Sequence, residues 1–276
     1  MKLSIITVNL NNKSGLQKTI DSVISQTYKD FEWIIIDGGS TDGSKELIEK
    51  YSSYITYWVS EPDKGIYNAM NKGILVAKGE YLQFLNSGDA LATPKILNDV
   101  FCANLVEDIL YGNVIHIFNE EKQKMVKYNH PITLSYFTSG GIINHQAAFI
   151  KRDLFSNSLY NENLKIVSDW EFWIKQVLLD RKFKYIDMVI VLFDRNGLTS
   201  SITETQKQEH DIVIRHLPEG IKADLSELYS LREIINDEYF NKFYYYSKKK
   251  IFKQFIIQIY STIKIYNHII NKICSK

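Results

Sequence analysis

Four stretches near the start of the chain run apolar and then stop on acids, amides and glycines. They are Leu3 to Asn9, Phe31 to Ile36 closing on Asp37-Gly38-Gly39-Ser40, Tyr57 to Glu61 leading into Asp63, and Glu80 to Leu85 ending in Asn86-Ser87-Gly88-Asp89. Near-continuous apolar runs mark strands buried on both faces of a parallel sheet. In open α/β sheets, ligands sit beyond the carboxyl ends of the strands. Four polar strand ends therefore predict one composite site at a common rim. The acids gathered there suit a metal-bound, phosphate-bearing ligand better than a bare anion.

Helical signals fill the gaps between these runs. Ser14 is placed to cap a helix whose apolar positions Leu16, Ile20, Val23 and Ile24 follow the helical period. The small polar run from Gly38 to Ser44 predicts a loop, Lys45 to Tyr51 a helix, and Ile66 to Ala77 another. Pro94 opens a helix to about Leu105, and Asp108 to Ile117 reads as a strand. This βαβα order predicts a parallel sheet covered on both faces. Residues 119–165 are less regular, with a short strand at Ala147 to Ile150. Ser168 starts a helix to about Leu179, Phe183 to Phe193 is a strand, and Glu204 to His216 and Asp224 to Phe240 read as helices.

The 276 residues favour one large α/β domain with an appendage over two equal domains. With 45% hydrophobic residues and 4 prolines, the chain can bury a sizeable core, so disorder is not expected. The only cysteines, Cys102 and Cys274, give neither a disulfide framework nor metal-ligand spacing, which predicts a reducing cytosol. Strand-like sequence from Leu3 leaves no room for a leader, and no apolar run approaches membrane-spanning length.

Familiar phosphate motifs are missing. There is no G-x-x-x-x-G-K-[ST], and the first strand leads into Asn9-Leu10-Asn11-Asn12 rather than G-x-G-x-x-G, which argues against a P-loop or a dinucleotide site. Instead, Ser4 to Asn9, Ser22-Val23 with Gln26-Thr27-Tyr28, Phe31 to Ser44, Asp63 to Gly73 and Gly79 to Leu82 closely resemble, in order and spacing, the inverting family 2 glycosyltransferases. The likeness extends through Asp89, is dense over residues 1–115, and is patchy to about 200. Within that family the chain looks like bacterial enzymes that build capsule, exopolysaccharide or O-antigen repeat units.

The resemblance implies a GT-A fold, a Rossmann-like, mostly parallel central sheet flanked by helices. It also implies a nucleotide-diphosphate sugar donor, a divalent metal (Mn²⁺ or Mg²⁺) and single displacement with inversion. The domain expectation is a catalytic unit over 1–205, its nucleotide-sugar half at 1–115 and its acceptor half at 116–205, followed by a helical region over 206–276. UDP is the expected nucleotide on family frequency. A sugar nucleotidyltransferase would need a basic glycine-rich loop that Asn9 to Gly15 does not supply. A silent nucleotide-sugar-binding scaffold is the rival from another class, motivated by Asn86 below.

Residue by residue, Asp37 sits where the family sets an acid against the base or ribose. An acceptor-only carboxylate suits a uracil N–H or sugar hydroxyls. Thr7 and Asn9 would flank it, with Asp63 and Lys64 nearby. Asn86-Ser87-Gly88-Asp89 occupies the place of the D-x-D metal motif, which works because hard cations prefer oxygen ligands and bridge diphosphate oxygens. Asn86 removes one negative charge there and leaves Asp89 as the direct ligand. Single displacement also needs a base for the acceptor hydroxyl. Ser168-Asp169-Trp170-Glu171 matches the family's place for it. A Ser168/Glu171 capping box would occupy Glu171 and free Asp169 for that role. His145, after Gly140-Gly141, is placed to touch the diphosphate or sugar. Arg195, on a loop, is placed to close over the diphosphate.

The tail differs in charge. Residues 241–276 hold eight lysines, no arginine and no acid, so residues 1–240 carry a net −7 against +1 for the whole chain. Apolar positions 252, 256, 259, 263, 266, 270 and 273 form a heptad-like seam. A basic amphipathic helix suits the anionic inner face of a membrane. It would bring a cytoplasmic, peripherally attached enzyme to a polyprenyl-diphosphate-linked glycan. The alternatives are packing on its own domain or on a second copy in a homodimer. Nothing in the charge pattern suggests nucleic acid.

Overall fold

The computed structural model describes residues 1–103, 105–119, 121–128, 131–195 and 203–236. The lysine-rich tail, and with it the membrane and dimer expectations, lies outside the described residues. The chain divides into two compact units, Met1–Val213 and Ile214 onward.

The first unit is built on β1 (Leu3–Asn9), β2 (Phe31–Asp37), β3 (Tyr57–Ser60) and β4 (Tyr81–Phe84). All four are parallel, in the order β3-β2-β1-β4. Every residue of β1 and β4 is buried, as the unbroken apolar runs require. Between them run α1 (Lys13–Ile24), α2 (Ser44–Lys50) and α3 (Ile66–Val76). Helix α1 starts one residue before the expected Ser14, because Asn12 is its cap: the Asn12 side chain accepts from Gly15 N.

The sheet continues with β5 (Ala90–Leu91), β6 (Ile109–Ile117), β7 (Gln123–Val126), β8 (Ala148–Lys151) and β9 (Phe183–Asp194). Beyond β4 the order is β8-β6-β9-β5, with β7 on β6, and here it becomes mixed. Strand β8 is antiparallel to both β4 and β6, whereas β6 and β9 are parallel. Helix α4 (Ile96–Phe101) is shorter than the Pro94–Leu105 reading, its apolar residues Ile96, Leu97, Val100 and Phe101 being spent on the core. Helices α5 (Leu134–Thr138), α6 (Ser168–Leu178) and α7 (Thr203–Arg215) complete this part. In the second unit, α8 spans Glu219–Asn236. No helix among the described residues is long and apolar enough to cross a membrane.

Candidate active site

In-register pairing aligns the polar strand ends. Asn9 is paired with Asp37, and Asp37 with Ser60. The chain after β4 stays alongside β1, with Leu85 N donating to Ile6 O and Ser87 N to Val8 O. The ends of β1 to β4 thus form one rim.

Asp37 is fully buried there. Its Oδ1 accepts from Asn9 Nδ2 at 2.7 Å and Ser40 Oγ at 2.6 Å. Its Oδ2 accepts from Ser60 Oγ at 2.6 Å and Ser40 N at 2.9 Å. Burial alone would raise its pKa; the bonds from Ser40, Ser60 and Asn9 outweigh that and hold it below the ordinary value. With about four lone-pair directions per carboxylate, Asp37 is saturated by its own chain. These bonds fix the carboxylate at the rim and orient Asn9. Asn9 is 4% exposed and its Oδ1 is a buried acceptor without a partner. Asp63 closes this corner: a Cβ on Gly38 would lie 2.6 Å from Asp63 Oδ2, so only glycine lets the acid approach the turn after Asp37.

Two further expected residues stand apart in burial. Thr7 is wholly buried and its hydroxyl accepts from Trp33 Nε1 at 3.0 Å, so it belongs to the packing beneath the rim. Lys64 is exposed, its backbone N–H donating to Asn68 Oδ1.

The loop after β4 is held from α1. Thr19 Oγ1 donates to Asp89 O at 2.7 Å and accepts from Gly88 N at 3.1 Å, and Asn12 Nδ2 donates to Ser87 O at 3.0 Å. Asp89 is 4% exposed, and its Oδ1 accepts from Asp194 N at 3.0 Å. Burial pushes its carboxyl up to about 8; the Asp194 N–H and the Gln146 side chain oppose this, and the Asp194 charge adds to it. Among the described residues no three His, Cys, Asp or Glu side chains gather to hold a metal ion. An amide in place of the motif's first acid leaves Asp89 as the one carboxylate of this loop, and among the described residues that is a sparse donor set for a hard cation.

Asn86, Ser87 and the later half of the unit do come together. Asn86 Nδ2 lies 3.4 Å from His145 Nε2, and Asn86 Oδ1 is a second buried acceptor without a partner. The other ring nitrogen, His145 Nδ1, is 2.9 Å from Asp169 Oδ2. Asp169 Oδ1 accepts from Tyr67 OH at 3.0 Å and from Trp170 N at 2.9 Å. Burial and the Asp169 charge hold the Tyr67 phenol well above its ordinary pKa, so it stays a donor.

The expected Ser168/Glu171 capping box does not form. Val167 is the cap residue without a side-chain bond, Ser168 Oγ accepts from Asn161 N at 2.6 Å, and Glu171 pairs with Lys175 at 3.1 Å. The amides of the segment just before α6 are met from α7: Glu209 accepts from Lys165 N, Ile166 N and Val167 N. Arg195 follows directly on Asp194, whose N–H donates to Asp89 Oδ1. The Arg195 N–H donates to Ile117 O, and its guanidinium stacks 6.0 Å from the Phe118 ring centre.

A hollow of about 490 Å³ is lined by Asn11, Asn12, Lys13, Ser14, Gln17, Asp42 and Leu47. None of the four acids Asp37, Asp63, Asp89 and Asp169 lines it. Asn12 connects it to Ser87, and Asn11 connects it to Ser40 through an N–H bond of 2.7 Å.

Comparison with known proteins matches residues 4–164 to the glycosyl transferase family 2 model. The chain belongs to that family. It is 33% identical over 207 residues to an uncharacterised glycosyltransferase of Mycobacterium tuberculosis, covering 72% of this chain and 77% of the relative. A PGL/p-HBAD biosynthesis glycosyltransferase of Mycobacterium bovis is 29% identical over 215 residues, covering 74% and 81%. Among solved structures, Staphylococcus aureus TarS 1-349 in complex with UDP-GlcNAc matches with a TM-score of 0.63 at 20% identity, covering 80% of this chain and 69% of that one. The mannosyltransferase PcManGT of Pyrobaculum calidifontis, solved with GDP-Man and Mn²⁺, matches with a TM-score of 0.54 at 16% identity, covering 69% and 56%. This chain is a GT-A-fold glycosyltransferase.

Several residues of this family 2 site are not singled out by sequence. Ser40 and Ser60 are small polar residues at a turn and a strand end, and that is their only local signal. Thr19, Asp194 and Glu209 carry none, and Tyr67 and Gln146 sit in family-like stretches without any sign of their partners, since each acts on a loop far away in the chain.

Proposed function

We propose that the chain moves a sugar from a nucleoside-diphosphate sugar, UDP-linked, to a hydroxyl of a glycan acceptor by single displacement with inversion. One observation carries this reading: two buried amide oxygens without partners, Asn9 Oδ1 and Asn86 Oδ1, stand on the strand-end rim that also leads to the Asp169–His145 pair. A buried unsatisfied acceptor costs about 1–3 kcal/mol. Donor hydroxyls and ring N–H groups of a nucleotide sugar would recover that energy. Asp37 and Ser40 fix Asn9, Asp63 closes the nucleoside end, and Ser87 and Asn86 line the diphosphate end. Asp169 supplies the negative charge that draws off the acceptor's proton. The UDP assignment leans on the likeness to TarS with UDP-GlcNAc. Among the described residues the loop after β4 offers Asp89 as a carboxylate for Mn²⁺ or Mg²⁺.

The acceptor we propose is a polyprenyl-diphosphate-linked glycan of surface-polysaccharide assembly, met at the inner face of the cell membrane. That part rests on the acid-free, lysine-rich residues 241–276. A thermal-shift screen of UDP-, GDP- and dTDP-sugars, with and without Mn²⁺, followed by a UDP-release assay with acceptor-bearing membranes, tests the donor. Stabilisation and turnover by a UDP-sugar is the expected result; binding without turnover across the panel would leave a silent nucleotide-sugar-binding protein. Flotation with anionic liposomes should recover the full chain but not a version ending at Tyr239, and equal recovery would remove the membrane role of the tail.

A further inference from the structure

The Tyr67 hydroxyl has one proton and two acceptors within reach. Ile166 O lies 2.6 Å from it and Asp169 Oδ1 3.0 Å. A hydroxyl donates to one of these at a time and turns about its C–O bond to suit. Burial and the Asp169 charge hold the phenol well above its ordinary pKa, so it keeps that proton whichever way it turns. Both acceptors are themselves fixed. Glu209 holds the Ile166 peptide from the far side, accepting from Ile166 N at 2.9 Å. The segment leading to Ile166 is clasped by α3, the helix that carries Tyr67. Asn71 Nδ2 donates to Tyr160 O at 2.9 Å, Asn71 Oδ1 accepts from Tyr160 N at 3.0 Å, and Asn68 Nδ2 donates to Glu162 Oε2 at 2.8 Å. Asp169 is held by Trp170 N, which donates to Oδ1 at 2.9 Å, and by His145 Nδ1, 2.9 Å from Oδ2.

A donor locked on a carboxylate favours the ionised form and so makes the group a weaker base. A hydroxyl with a second acceptor beside it avoids that effect. While Asp169 is ionised, the charge-assisted bond to Oδ1 is the stronger of the two. Once the carboxyl is neutral, the peptide carbonyl at 2.6 Å is the better acceptor. The turn from one to the other leaves no buried donor stranded in either state.

Resting on the transferase reading above, in which Asp169 takes the acceptor's proton, we propose that Tyr67 is the positioning residue of that base. Its hydroxyl donates to Asp169 Oδ1 before transfer and turns to Ile166 O as the carboxyl gains the proton. As the acceptor oxygen bonds to the anomeric carbon, the bond from that carbon to the diphosphate oxygen breaks, and its electron pair leaves with the nucleoside diphosphate. The acceptor's proton passes to the Asp169 carboxylate. After the products leave, that proton goes to water and the Tyr67 hydroxyl returns to Oδ1. Tyr67 gains and loses no proton at any stage; it acts through Asp169.

The test uses the full chain with a UDP-sugar that the wild type turns over. Tyr67→Phe removes the hydroxyl and keeps the ring. The other titratable groups that face Asp169 are His145, Tyr160 and His210, with Glu209 behind the Val167 N–H, and all four stay in the variant. In Tyr67→Phe, kcat should fall at least about tenfold while UDP affinity by calorimetry stays within about threefold of wild type. The acid limb of the kcat profile should move to higher pH by less than about one unit, because the hydroxyl is bonded in both states of the carboxyl. A larger move would make the hydroxyl a fixed donor to the ionised form. A smaller loss of kcat, or a matching loss of UDP affinity, would leave Tyr67 a packing residue, and each of these results overturns the proposal. Neutron diffraction from deuterium-exchanged wild-type crystals needs no variant to fold. The Tyr67 deuteron should point to Asp169 Oδ1 in alkaline crystals and to Ile166 O in crystals acid enough to place a deuteron on Asp169. The same acceptor in both would refute the turn. A wild type that turns over no donor at all removes the transferase reading, while the deuteron positions still decide whether the hydroxyl turns.

Discussion

Asp89→Asn is a direct measure of how the loop after β4 is charged. The Asp89 carboxyl is raised from 3.8 to about 8, chiefly by burial. Between those values the folded chain holds a proton that the unfolded chain has lost. A folded pKa above the unfolded one gives a contribution that is complete below about pH 4 and fades as pH rises through about 8. One proton corresponds to about 1.4 kcal/mol per pH unit, so wild-type stability should fall by about 2.7 kcal/mol from pH 5 to pH 7 on this account alone. The asparagine variant does not titrate and keeps an oxygen for Asp194 N–H. Subtracting it cancels every other titrating group. Urea unfolding with EDTA present, followed by fluorescence of the buried Trp33, Trp170 and Trp173, gives both curves from pH 5 to 9. The difference should move in favour of the variant up to pH 8 and then level. A difference constant to within about 0.5 kcal/mol would mean that Asp89 is ionised in the folded chain and that the argument from burial is wrong.

Two further substitutions test the supports of the site. Thr19→Val keeps the shape but strands Gly88 N and Asp89 O, and should cost about 1–3 kcal/mol by denaturant unfolding; an unchanged midpoint would show that the hydroxyl does not hold that loop. Glu209→Ala leaves the amides of Lys165, Ile166 and Val167 without their acceptor, and should cost about 1–3 kcal/mol and lower kcat while UDP affinity holds. Full activity in that variant would separate the start of α6 from the chemistry.

What the sequence made legible is local. The strand-end rim follows from period and composition, because an apolar run closed by Asp37 or Asn86 has few other ways to be buried. Helices α3 and α6 are equally plain from spacing. The side-chain wiring is not. Ser168 and Glu171 have the spacing of a capping box, yet Ser168 Oγ is taken by Asn161 N and Glu171 by Lys175, while Glu209, more than forty residues away along the chain, takes the amides just before the helix. Asp169 reads as a free acid, because nothing near it announces Tyr67, 102 residues earlier. Asp37 was legible as an acid at the rim, but its four donors come from three segments that only the folded sheet brings together. A periodic pattern reports which face is buried; it does not report which polar atoms meet there.

The most direct measurement follows the side-chain amides of Asn9 and Asn86 by ¹⁵N NMR during titration with UDP and then with the UDP-sugar that the enzyme turns over. With both amide oxygens buried and unpartnered, the account predicts that both resonances shift and saturate with the same affinity as ligand binding measured by calorimetry. Saturable binding that leaves both resonances unmoved would contradict it.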